Sequence, residues 1–153
     1  MKKKQLIEIE MNKMPFLLNH EGEKDAYLCK LVNEHLNNFL TIVDHLMALE
    51  VKGIISQSYL LISSRFHGVA SALNSGVPCL ATSWSHKYEE LFKDYEQFDC
   101  VLDIKNIKKS LKQIEEYLSE QIHEKISCDL KNNIKSFIKD KNKEMWNIVW
   151  NYK

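Results

Sequence analysis

Apolar positions along this chain switch between two spacings. Short crowded apolar runs, bounded by Gly, Pro, Ser or Asn, alternate with stretches in which apolar residues recur every three or four positions. That alternation marks strands separated by helices. Residues 14–19, 39–43, 59–63, 77–82 and 98–104 are the strand candidates. Between them, residues 24–36 place Leu28, Leu31, Val32 and Leu36 on one helical face, residues 51–58 carry Val51, Ile54 and Ile55, and residues 86–95 fill the last interval. Because a parallel neighbour must be reached by a crossover, the intervening helices predict parallel pairing. The expected fold is α/β, a single Rossmann-like domain with a mostly parallel sheet of about five strands. After Asp103 the pattern turns wholly helical. Ile107, Leu111, Ile114, Leu118 and Ile122 keep helical spacing, and Ile126, Leu130, Ile134, Phe137 and Ile138 continue it past a weak break at 120–125. The predicted division is a Rossmann-like domain over 1–104 and C-terminal helices over 105–153 packed on the same domain.

Residues 60–84 carry the most chemistry. An apolar strand ends at Ser63, a turn presents Arg65 and His67, a small-residue helix follows, and a second apolar strand starts at Pro78. In an open parallel sheet the ligand crevice lies beyond the carboxyl ends of the strands, so Arg65, His67 and, one turn later, His86 and Lys87 stand where chemistry is expected. Ser63 or Ser64 is the candidate cap of the helix, whose amino end would face the same crevice as Arg65 and suit an anion. Arg65 adds a planar fork that matches a carboxylate or phosphate, and His67 can supply a proton near neutral pH. Gly68 allows a ligand or a backbone to come close, while Gly76 and Pro78 end the helix and start the strand. In the second turn Ser83 or Ser85 is the candidate cap, with Glu89 and Glu90 suited to a first helical turn. The plainer alternative is that an Arg or His at a strand end only ties down loop carbonyls. His20, beside Glu21, Glu23 and Asp25, reads equally as a cleft residue and as part of a polar loop.

Arg65-Phe66-His67-Gly68, the run from Ala72 to Pro78, and Trp84-Ser85-His86-Lys87-Tyr88-Glu89-Glu90-Leu91 resemble the C-terminal half of the polysaccharide pyruvyl transferases. Ile54-Ile55-Ser56-Gln57 and Leu18-Asn19-His20-Glu21-Gly22 with Asp25 extend the likeness over roughly residues 14–104. The resemblance implies one half of a glycosyltransferase-B-like architecture, a phosphoenolpyruvate donor, a sugar-hydroxyl acceptor, and Arg65 with His67 gripping the donor. Residues 1–104 would then be the donor-binding domain, acting in cell-surface polysaccharide synthesis. Residue chemistry agrees. Phosphoenolpyruvate carries a phosphate and a carboxylate on a small frame and needs cations in two directions, which Arg65 and Lys87 would supply among Ser64, Gly68 and His20. His67 is the candidate general acid for the enol methylene, with His86 or His20 as alternatives for assisting the hydroxyl or the leaving phosphate. At 153 residues the length suits one domain, so a second chain supplying the N-terminal half is an expected partner. Two other functional classes remain at this level: a nucleotide-sugar-dependent glycosyltransferase-B domain, and a non-catalytic remnant or interaction module.

Composition narrows the classes further. With 21 basic and 21 acidic side chains the net charge is zero, which argues against bulk electrostatic capture of nucleic acid or an anionic membrane. No apolar run approaches the ~20 residues of a membrane span, and the start lacks a signal-peptide pattern, so a cytoplasmic location is expected. Cys29, Cys79, Cys100 and Cys128 form no C-x-x-C pair and are read as reduced, with Cys79 in the core. The four glycines make no dinucleotide or nucleoside-triphosphate fingerprint. No metal and no cofactor beyond the donor substrate is expected. His35, His45 and His123 read as surface or helix-face residues. Trp146, Trp150 and Tyr152 are expected to anchor the last helix on the domain. Exposure of those aromatics, for self-association or for binding a missing half, is the alternative.

Overall fold

A computed structural model describes residues 13–82, 85–134 and 138–152. The chain divides into two compact units, Met1–Val51 and Lys52–Lys153. In the first, β1 (Phe16–Leu18) and β2 (Thr41–Val43) pair in parallel with Leu17 opposite Ile42, and α1 (Gly22–His35) crosses between them. The return loop is closed by one amide. The Asn33 side chain donates to the Leu40 carbonyl and accepts from the Leu40 N–H, each at 2.9 Å. Asn37 and Asn38 adopt left-handed φ values of 56° and 53°, a conformation Asn tolerates better than most residues. The buried residues of α1 are Asp25 and Asn33. Leu28, Leu31, Val32 and Leu36, which share a face as their spacing predicts, are exposed.

The boundary between the units falls within α2 (Ala48–Gln57). In the second unit β3 (Leu61–Ser63) and β4 (Cys79–Ala81) pair in parallel, with Ile62 opposite Leu80, and α3 (Phe66–Asn74) forms the crossover. Both faces of β4 are covered, and Val69, Ala72, Leu73, Leu80 and Ala81 are essentially inaccessible. Burying each large side chain of this set stabilises the fold by about 1.5–3 kcal/mol. α4 (His86–Asp94) adds Tyr88 and Phe92 to that core. Three helices follow, α5 (Ile107–Leu118), α6 (Glu120–Asn133) and α7 (Lys139–Asn151). Ser119, with an extended ψ of 136°, separates the first two. Residues 120–125, where a weak break is expected, are instead the first six residues of α6.

The α/β class and the parallel pairing follow the sequence pattern, but a single sheet of five strands is not formed by the described residues. They make two separate two-stranded pairs. The fifth candidate, 98–104, contributes one parallel bridge, Val101 to Ala81, with N–H···O bonds of 2.8 Å on either side. The cause is local. Asp99 has a left-handed φ of 56°, which an extended strand cannot accommodate, and Asp103 folds the chain into a turn through its bond from the Lys105 N–H. Phe98 and Ile104, apolar in pattern, are accordingly 71% and 72% exposed.

His123, expected as a surface or helix-face residue, stands on a half-buried face of α6. Its ring stacks on Tyr59 with centroids 3.6 Å apart, and its Nε2 lies 2.9 Å from the Tyr59 carbonyl. With Ser127 donating to the Gly76 carbonyl at 2.9 Å and Leu130 wholly buried, it docks α6. The aromatics of α7 do the opposite of what anchoring requires. Trp146, Trp150 and Tyr152 are exposed, and no residue of that helix is buried. Among the described residues no helix is long and apolar enough to cross a membrane.

Candidate functional site

The turn after β3 is shaped by backbone pairing. Ser63 is still in the ladder, opposite Ala81, and its carbonyl accepts the Thr82 N–H at 3.1 Å. Neither Ser63 nor Ser64 therefore reaches the cap position proposed for them. The N-cap of α3 is Arg65, with extended φ and ψ of −96° and 121° and no capping bond from its side chain. Ser63 Oγ instead accepts the Arg65 N–H at 3.0 Å, which holds the turn one step earlier. Since a guanidinium has no acceptor, it cannot cap, and the first turn of α3 keeps its positive character toward an incoming anion.

A second turn closes on the first. The Tyr88 hydroxyl donates to the Ser64 carbonyl at 2.7 Å. Its ring meets Phe66 edge-on at 5.6 Å, and Lys87 Nζ sits 5.1 Å from the Phe66 centroid and 5.6 Å from that of Tyr88. Burial pushes the Tyr88 phenol up while the Arg65 guanidinium pulls it back. Arg65 thus acts electrostatically on the residue adjoining Lys87. Cation-π contact at these distances fixes the Lys87 stem without consuming its three N–H donors. Ser85 is the N-cap of α4 and makes no capping bond. Its Oγ is buried with no hydrogen-bond partner, so a donor and an acceptor remain unspent at the amino end of that helix.

The other predicted residues make none of these contacts. His67 is exposed in the first turn of α3, with its ring 6.1 Å from Phe66 and its carbonyl accepting from Ser71 Oγ. Gly68 is buried beside it. His86 is 79% exposed and leans over its own helix, 3.7 Å from Glu89 and 3.9 Å from Glu90. It is not drawn toward Phe66 as Lys87 is. His20 belongs to the first unit, in the turn between β1 and α1, and is partly buried. The other candidate cap, Ser83, lies outside the described residues, as does Trp84.

Two polar contacts, one in each unit, escaped the sequence reading. Tyr88 was part of a motif there without a role. Its signal was a phenol in the first turn of an amphipathic helix, which must find a partner for its hydroxyl once the ring is buried. The Asn19 and Asp44 pair was the second. The Asn19 amide donates to Asp44 at 2.6 Å at the carboxyl ends of β1 and β2. That bond, followed by one from the His45 N–H, holds the Asp44 carboxyl below its ordinary range.

A cavity of about 290 Å³ opens at the opposite ends of β3 and β4, lined among others by Tyr59, Gly76, Pro78, His123, Ser127 and Lys131. It follows the seam along which α6 docks. Arg65, Lys87 and the Ser85 hydroxyl are at the carboxyl ends, and none of them lines this cavity.

A family model described as polysaccharide pyruvyl transferase matches residues 3–86, more than half of the 153 positions. The matched span contains β1 to β4 and the Arg65-to-Gly68 turn, and it ends at His86, one residue before Lys87. No curated protein and no solved structure matched the chain.

Proposed function

The chain belongs to the polysaccharide pyruvyl transferase family, and from that premise we propose that the carboxyl ends of β3 and β4 bind phosphoenolpyruvate for transfer of its pyruvyl group to sugar hydroxyls. The observation that carries this is the clasp of Tyr88 on Ser64. It joins the turn bearing Arg65 and His67 to the helix end bearing Lys87 and the unpaired Ser85 hydroxyl. Phosphoenolpyruvate needs a cation for its carboxylate, another for its phosphate, and donors from the backbone. Arg65 takes the carboxylate in two-point fashion. Lys87 and the amino ends of α3 and α4 take the phosphate. His20, in the turn between β1 and α1, is a further substrate-binding candidate that assists the hydroxyl or the leaving phosphate.

The reaction then has few parts. His67 gives a proton to the enol methylene, and positive charge develops at the adjacent carbon. A sugar hydroxyl attacks that carbon and releases its proton. The C–O bond to phosphate breaks, inorganic phosphate departs, and a second hydroxyl of the same sugar closes the ketal with loss of its own proton. His86, held over Glu89 and Glu90 on the solvent side, assists the departing phosphate or the hydroxyl rather than the grip on the donor. A phosphoenolpyruvate donor makes this a cytoplasmic reaction in the supply of a cell-surface polysaccharide.

The test is calorimetric titration of the full chain with phosphoenolpyruvate, beside an Arg65→Ala variant and with a nucleotide sugar as the competing ligand. Saturable binding of phosphoenolpyruvate that is lost in the variant is the expected result. Binding of the nucleotide sugar instead, or binding of neither to a folded sample, would overturn the proposal.

A further inference from the structure

We propose that α7 is a self-association surface, and that its occupant is α7 of a second copy of this chain. Met145, Trp146, Ile148, Val149, Trp150 and Tyr152 are between 46% and 88% exposed. The Trp146 and Trp150 rings, one turn apart, lie 6.4 Å from each other and form a continuous ridge. At roughly 150–250 Å² for each large side chain, these six leave on the order of 700–800 Å² on one copy, which doubled approaches the ~1,600 Å² of a stable interface.

Charge selects the partner. Residues 145–152 carry no charged side chain, whereas Lys139, Asp140, Lys141, Lys143 and Glu144 crowd the first half of the helix. An antiparallel pair about a twofold axis near Ile148 and Val149 therefore brings only uncharged residues together at its centre. It also sets Trp146 of one copy against Trp150 of the other. At each end Lys143 comes nearest the carbonyl end of the opposite helix, where a cation is favoured. Lys141, at the start of α7, lies 3.5 Å from Asp94 of α4, whereas the second half of the helix is presented to solvent. The face on α1 lacks this arrangement, because Lys24 stands on it one turn before Leu28.

Sedimentation velocity of the full chain across the micromolar range should show a reversible dimer. Tryptophan emission should move to the blue over the same range as Trp146 and Trp150 leave water. In the doubly substituted Trp146→Glu/Trp150→Glu protein, dimerisation should weaken at least tenfold with helical content unchanged, while Leu28→Glu/Val32→Glu in α1 should leave it intact. A monomer at every concentration, open-ended aggregates, or a dimer that survives the α7 substitutions would overturn the proposal. If the α7 variant fails to fold, the unsubstituted protein decides: emission independent of concentration rules the interface out.

Discussion

The Tyr88 hydroxyl reaches the Ser64 carbonyl at 2.7 Å across 24 residues of chain, so a single side chain sets the spacing between the two strand-end turns. Removing that hydroxyl while keeping the ring separates its positioning role from its packing role. Tyr88→Phe should lower stability by about 1 kcal/mol, the net worth of one such bond, and weaken phosphoenolpyruvate binding several-fold. Chemical denaturation and calorimetry read the two effects. Unchanged affinity in a destabilised variant would make the clasp merely structural.

Lys87 and His86 are adjacent in sequence and separated in role. Lys87 is held over Phe66 and Tyr88, whereas His86 faces Glu89 and Glu90. Lys87→Met should therefore cost roughly ten- to a hundredfold in phosphoenolpyruvate affinity, as loss of a charged hydrogen bond does. His86→Ala should leave binding nearly as it was and slow turnover. Equal losses of binding in the two variants would contradict the assignment.

Burial pushes the Cys100 thiol up to about 11, against the opposing pull of its bond with Tyr117, and pushes Cys79 up as well. Cys128 is exposed. Alkylation at mildly basic pH should mark Cys128 in the folded protein and reach Cys79 and Cys100 only after denaturation, because the thiolate is the reactive form. The sign of the linked pH effect follows. The unfolded chain loses these protons first, so their contribution to stability is complete below the ordinary thiol value of 9.0, and that of Cys100 is lost as pH rises toward about 11 while that of Cys79 goes on falling beyond it. Denaturation midpoints that rise over that interval would refute it.

Gly76 has a φ of +71°, and a Cβ there would stand 2.7 Å from Lys131 Cγ. Two penalties are combined at this position, and only one of them involves Lys131. Gly76→Ala should destabilise the protein. In a Lys131→Ala background the collision is gone, yet about 1–2 kcal/mol should remain from the left-handed backbone. Full recovery in the double variant would show that the collision alone mattered.

Residue pattern alone established the α/β class, the parallel crossovers, the helices over 24–36, 51–58 and 86–95 to within about three residues, and the position of the Arg65–His67 turn at the end of a strand. These are local properties. Spacing records which face of an element is apolar, and a run such as 59–63 or 77–82 must bury itself whatever its neighbours are. Tertiary structure decided what each face and each polar group meets. The phenol of Tyr88 finds the carbonyl of Ser64, His123 finds Tyr59, and Asn33 closes on Leu40. No spacing encodes these pairs, because they depend on how distant segments close on one another. The same limit explains the two largest departures. One left-handed residue, Asp99, stops an apolar run from becoming a strand, and the α7 aromatics stay in solvent because a hydrophobic pattern states that a face is to be covered without stating by what.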